Sequence, residues 1–238
     1  MAESAADEST ATEGSGRYEG RTGRPARLSR ISIVRTAIGL ADRSGLEAVT
    51  MRAVAAELDG VAAALYRHVR GRDELIDLIR DEVLAERREV IETGDWRADL
   101  RDFVRGLLTI HEAHPWLATD GLPSRLGPRA LATTETAMSL LSSHPAGRDQ
   151  KYSAIAVLFE LISGFARSAA ATRALTADVT SESDSGSTAA PGDQPSPVAA
   201  ERDHAITVAT RRDHAIAVIL AAVTGVLDDE EVGSCSPH

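Results

Sequence analysis

Cysteine is almost missing from this chain: Cys235 is the only one in 238 residues. A lone thiol makes no internal disulfide and no thiolate metal cluster, which excludes a disulfide-stapled secreted fold and points to a reducing compartment. Aromatic residues are nearly as scarce, at 3%. The core must then be built from Ala, Leu, Val and Ile, and alanine-rich runs without β-branched alternation favour helix over strand. Lysine occurs once, at Lys151, among 26 basic residues. The arginine bias runs through the whole chain, so GC-rich coding accounts for it better than phosphate recognition does. No run approaches the roughly 18 apolar residues of a membrane span. The start, MAESAADESTATEGSG, is acidic and polar, unlike a secretory signal. A soluble, cytoplasmic protein with no membrane partner is the expectation. Gly-x-Ser-x-Gly, a P-loop and His-Glu-x-x-His are also missing, so no enzyme, no catalytic residue and no cofactor is expected.

What is present is unevenly distributed. Hydrophobic residues make up 43% of the chain, enough for a sizeable core. The formal charge of -10 conceals three segments: residues 1–20 carry -4, residues 21–72 carry +6 and residues 73–238 carry -12. A basic module of some fifty residues on an acidic body is the footprint of a nucleic-acid-binding head joined to a part with another job.

Helical signals run almost end to end. A tail and basic arm over 1–23 precede them, and RTGRPARLSR places Arg21, Arg24, Arg27 and Arg30 at every third position. A first helix starts at Ser29 or Ser32 and ends at Gly45. Thr50 caps a short second helix, MRAVAAELD, and Asp59-Gly60 is a turn. A short third helix spans Val61 to His68. A longer fourth starts near Arg72, with Asp73 and Glu74 where negative charge suits the helix dipole, and fades near Thr93-Gly94. Further helices are expected over WRADLRDFVRGLLTIHEAH, from Arg129 to Ser142, from Asp149 to Leu175 and from Glu201 to Leu227. Residues 176–200 read as a disordered, low-complexity linker. The repeated RDHAI at 202 and 212 falls on different helix faces, ~1000° apart, and is read as drift.

Two short helices behind a stabilising first helix and a basic arm describe a helix-turn-helix. The third helix must be slim enough for a major groove ~12 Å wide; Ala62, Ala63 and Ala64 suit close approach, and Tyr66, His68, Arg70 and Arg72 supply flanking groups for phosphates. The stretch VTMRAVAAELDGVAAALYRHVRGRDELIDLI resembles the N-terminal module of the tetracycline-repressor (TetR) family of bacterial regulators, over about residues 24–80. Weaker similarity reaches HPWLA (114–118), LGPRAL (126–131) and GFARSAA (164–170), which look like the ligand-binding, dimer-forming domain of the actinobacterial branch. The resemblance implies an all-α fold: a three-helix helix-turn-helix domain over 24–71 and a helical ligand-binding and dimerisation domain over 72–238.

By that resemblance Thr50 would bond a phosphate and Arg52 a base edge or phosphate. Val61, Ala62, Ala63 and Ala64 would face base edges, Tyr66 and His68 would grip the backbone, and Arg72 would hold a phosphate beside the free N–H groups of its helix. Arg24 and Arg27 would reach a minor groove. Two features depart from the family pattern. Its usual Leu-Gly-Val turn is Leu58-Asp59-Gly60 here, so either the helices pack more loosely or Val61 slides inward. The alanine triplet touches thymine methyls but donates no hydrogen bond, which leaves base readout to Arg52, the arm and DNA shape.

The body would hold a small apolar effector among Phe103, Leu107, His111, Trp116, Tyr152, Phe159 and Phe165. His111 and His114 are three residues apart, but no third ligand sits nearby and no metal is expected. The reading is a homodimeric repressor on a double-stranded, near-palindromic DNA operator, released by its effector. The alternatives are a helical ligand- or protein-binding dimer with a vestigial head, and a helical enzyme using the histidine pair with a metal.

Overall fold

The computed structural model describes residues 28–60, 62–118, 125–183 and 197–229, with backbone alone for 176–183 and 197–206. Among the described residues every regular element is helical. The N-terminal head comprises α1 (Arg30–Ser44), α2 (Met51–Glu57), α3 (Ala62–Leu65) and α4 (Arg72–Val83); the body comprises α5 (Trp96–Ala113), α6 (Pro128–Leu140), α7 (Arg148–Ser183) and α8 (Pro197–Asp228).

Local chemistry explains the boundaries in the head. Ser29 and Ser32 form a reciprocal capping box at the start of α1, and Gly45, at φ 77°, ends it. The Thr50 hydroxyl accepts from Ala53 N, so Thr50 caps α2 as its sequence position predicts. Ile33, Ala37, Val54, Leu65, Leu75 and Ile79 close one small core beneath these helices. The third helix is shorter than expected. Only Ala62–Leu65 is α-helical, and turns carry the chain on to His68, held by His68 N and Val69 N donating to Leu65 O. Leu65 and Val69 are the buried anchors, and with so few apolar positions the segment has little to extend a helix against.

In the body, Asp95 caps α5 through Arg97 N and Ala98 N. Its buried face, with Leu100, Phe103, Val104 and Leu107, meets Ala154, Ile155, Leu158 and Ile162 of α7 and Ile216, Ile219 and Val223 of α8. Gln150 is buried at the start of α7, and its Nε2 donates to Val226 O, Leu227 O and Asp229 O at 2.7–3.0 Å, supplying donors to carbonyls that a helix end leaves over. The fourth helix stops at Val83 and tightens into a 3-10 turn, Leu84–Glu86, rather than running to Thr93-Gly94. The linker expected over 176–200 is shortened at both ends. α7 continues to Ser183 and α8 begins at Pro197, where proline suits a first helical position; residues 184–196 lie outside the described residues. The 148–175 part of α7 is, by length and composition, apolar enough to cross a bilayer, because its interrupting Ser, Gly and Ala residues still average to an apolar window; only 28% of that window is buried.

Candidate nucleic-acid interface and effector cavity

The α2–α3 face carries most of the predicted DNA contacts. Thr50, Arg52, Ala63 and Tyr66 are exposed, Ala62, Ala64 and His68 half-buried, and Tyr66 keeps 55% of its surface accessible. The capping bond uses the Thr50 oxygen as acceptor and leaves its O–H to donate outward. Arg52 and Arg67 make no ion pair among the described residues, whereas Arg30, Arg43 and Arg72 lie against Glu74, Glu57 and Glu47. Arg67 thus sets unneutralised positive charge next to Tyr66, and the exposed Arg35 and Arg70 of the head also make no ion pair among the described residues. Arg67 belongs to this face and sequence reasoning passed over it; its position between Tyr66 and His68 was the available signal.

Arg72 has a structural role that its sequence position did not signal. Its Nε donates to Val49 O at 2.9 Å and its Nη2 to Leu46 O at 3.0 Å. It ties the start of α4 to the loop before α2, so it positions the helix-turn-helix from behind. Arg24, Arg27 and Val61 lie outside the described residues.

The departing turn is accommodated by strain at one residue. Asp59 has φ 50°, the left-handed region where the family has glycine. Gly60 N closes the turn onto Ala55 O at 3.0 Å, and Gly60 is exposed, so no buried valine is needed there. Asp59→Gly is expected to raise stability by about 0.5–1 kcal/mol, since glycine adopts this conformation freely; chemical denaturation measures it, and a lower midpoint would contradict the strain.

A cavity of about 830 Å³ opens between α5, α7 and α8, lined by Leu108, His111, Glu112, Phe165, Ala166, Ala169, Thr172, Arg173, Val208, Arg211, Arg212, His214 and Ala215 among others. Of the seven predicted effector contacts it takes His111 and Phe165. Phe103 is wholly buried beneath Arg87, whose guanidinium carbon sits 5.2 Å from the ring centroid. Leu107 and Trp116 are core residues, Phe159 packs against the core, and Tyr152 lies outside beside Arg148. Aromatic content picked out candidates, but helix rotation decides which of them face the cavity. Leu108 faces it where Leu107 does not. The cavity's polar lining from α8 carried no sequence signal beyond charge.

His111 and His114 do not converge on a common site. Burial, then the nearby His114, holds the His111 imidazole down to about 4, so it is neutral near pH 7. His114 lies one turn further on, at the C-cap of α5. Its Nδ1 is 2.7 Å from Asp42 Oδ1 of α1 and its Nε2 is 3.1 Å from Glu86 Oε2. Trp116 Nε1 donates to the same Asp42 oxygen at 2.7 Å. Burial acts to lower the His114 pKa, but the hydrogen bonds and negative charges of Asp42 and Glu86 outweigh it and raise the value. The His114 ring thus clasps the head at two points.

A raised folded-state pKa contributes stability that is full below the unfolded value of ~6.5 and fades as pH rises through the folded value. The stability difference between wild type and His114→Gln is therefore expected to shrink as pH climbs through and above that range, measured as thermal midpoints across a pH series. A difference that grew with pH would reverse the assignment.

A second joint lies nearby. Asp81, buried on α4, accepts from Arg129 N and Ala130 N at 3.0 Å each and so caps α6 from another helix.

Comparison with known proteins follows the same division. The model of the tetracyclin repressor-like C-terminal domain matches residues 91–213, and that of the bacterial regulatory proteins of the tetR family matches residues 33–79. The HTH-type transcriptional repressor DrrR1 of Streptomyces coeruleorubidus is 36% identical over 157 residues, covering 64% of this chain and 57% of that protein. An HTH-type transcriptional regulator of Saccharopolyspora erythraea is 34% identical over 139 residues, covering 58% and 59%. The matches thus span little more than half the length of these two relatives. Among solved structures, the Streptomyces coelicolor TetR family protein ActR in complex with actinorhodin superposes with a TM-score of 0.63 at 28% identity, covering 86% of this chain and 99% of that one. ActR in complex with (S)-DNPA gives 0.62 at 28% identity, with 84% and 98% covered.

Proposed function

The chain belongs to the tetracycline-repressor family of bacterial transcriptional regulators, and from that premise we propose that it is a homodimeric repressor released from its operator by a small molecule in the α5–α7–α8 cavity. The observation that carries the reading is spatial: an exposed, unneutralised face of Thr50, Arg52, Ala63, Tyr66 and Arg67 on a basic head, joined through His114 and Asp81 to a body with a large cavity. On DNA, Ala62 and Ala63 lie against base edges, Arg52 reads an edge or a phosphate, and Thr50, Tyr66 and His68 hold the backbone. Arg24 and Arg27 extend the contact into a minor groove.

Dimerisation is supported by the outer surfaces of the last two helices. Ala156 on α7 and Ala217, Val218, Ala221 and Gly225 on α8 are exposed. Two copies of this helix pair, packed together, would bury both surfaces. Two-fold symmetry then demands operator half-sites about 34–36 Å apart, or a multiple of that.

Occupation of the cavity acts through α5. A shift of that helix moves His114, which holds α1 through Asp42 and the end of α4 through Glu86; displacement of α4 changes the separation of the two heads.

Selection of bound DNA from a random pool, repeated with extracted metabolites, tests the proposal. Enrichment of a near-palindrome, with strongly salt-dependent affinity and loss of binding in some extracts, is expected. Absence of any enriched sequence would leave the helical dimer with a vestigial head as the better account.

A further inference from the structure

The ionisable groups around the cavity run against the charge of the body. Residues 73–238 contain 27 acids and 15 bases, yet among the described residues the α5 and α8 walls of the cavity hold one carboxylate, Glu112, against the guanidiniums of Arg211 and Arg212. The remaining lining is largely apolar, from Leu108, Phe165 and Val208 together with several alanines. We propose that the cavity takes an amphiphilic monoanion, a ring system or chain bearing a carboxylate or ionised phenol, with its charge against Arg212. This deepens the effector reading above and rests on it.

The geometry at Arg212 supports the assignment. Its Nη1 meets Glu112 Oε2 at 3.0 Å, a bridge from α8 to α5. Its Nε, on the other edge of the same guanidinium, is buried and finds no acceptor. An unfilled buried N–H costs stability until an acceptor arrives, so a turn of the side chain that sets its Nε edge on a ligand carboxylate gains a bond the empty site lacks, and the planar fork of arginine suits that partner. A neutral apolar ligand would fill the cavity and leave that donor unmet; a cation would face the like charges of Arg211 and Arg212. His111, held neutral as described, adds no opposing charge and offers a polar contact beside the anion. The anion and Glu112 both draw on Arg212, so ligand binding loosens the α5–α8 bridge on the helix that carries His114.

The test uses three fluorescent probes of matched shape on the full-length protein: pyrenebutyrate, pyrenebutanol and pyrenebutylamine. Pyrenebutyrate is expected to bind about tenfold or more tightly than the alcohol, the amount a charge-assisted hydrogen bond contributes. Arg212→Gln should bring acid and alcohol to similar affinity. Glu112→Gln should act in the opposite direction, strengthening the acid while leaving the alcohol unchanged, which a merely damaged fold would not do. Equal binding of acid and alcohol to the wild type, or a preference surviving in Arg212→Gln, overturns the anion and leaves the cavity as a ligand site. Failure of all three probes to bind overturns both readings.

Discussion

Ala63→Asp protein is expected to bind operator DNA about 100-fold or more weakly than wild type, because a carboxylate pressed against a polyanion costs several kcal/mol. Ala63 is exposed on the four-residue helix α3, between the half-buried Ala62 and Ala64, so it has no packing role to lose. The thermal midpoint should hardly move, and that separates a binding defect from a folding one. Arg52→Ala gives a milder companion result. Removing one cation from the same face should weaken binding and reduce the slope of log affinity against log salt by about one if Arg52 meets a phosphate. If instead it reads a base, the loss would be about 1–3 kcal/mol and confined to one operator position. Titration of labelled operator across a salt series measures both. Ala63→Asp binding with wild-type affinity would remove α3 from the groove.

The second large effect is expected at the joint between head and body. A Cβ on Gly127 would fall inside the Asp81 carboxyl, and Asp81 is held in place by the two backbone N–H groups at the start of α6. Gly127→Ala must push Asp81 out of its capping position, for about 2–3 kcal/mol combining overpacking with loss of the cap. The conformation of Gly127 is ordinary, with φ -80°, so the requirement comes from close approach alone. Asp81→Ala should restore room in the double variant while forfeiting the cap. The double variant is then expected to be more stable than Gly127→Ala alone, an order reversed from simple addition. Denaturant unfolding of the three proteins decides it; strict additivity would mean the glycine matters for some other reason.

The head was far more legible in sequence than the body. Capping by Ser29 and Thr50, the Gly45 stop and the apolar spacing of Leu75, Ile79 and Val83 are local signals, and local hydrogen bonding obeys them. Arg72 shows where such signals end. Its position in the chain suited a phosphate contact and gave no sign that two carbonyls more than twenty residues earlier would take two of its five donors. The cavity proposed for the effector was the least readable part. Phe103, Trp116 and Tyr152 share aromatic character with Phe165, yet two are buried in the core and one is outside; nothing in a residue's identity says which way its helix is turned.

Composition, charge segregation and helical periodicity thus determined an all-helical chain with a basic head on an acidic body, because each depends only on residue type and short-range spacing. Only the tertiary structure decided that His114 would reach Asp42, 72 residues away, that Asp81 would cap a helix 48 residues on, and that Arg212 would face Glu112 across the cavity. These are pairings between helix faces, set by how whole helices pack, and no local spacing encodes them.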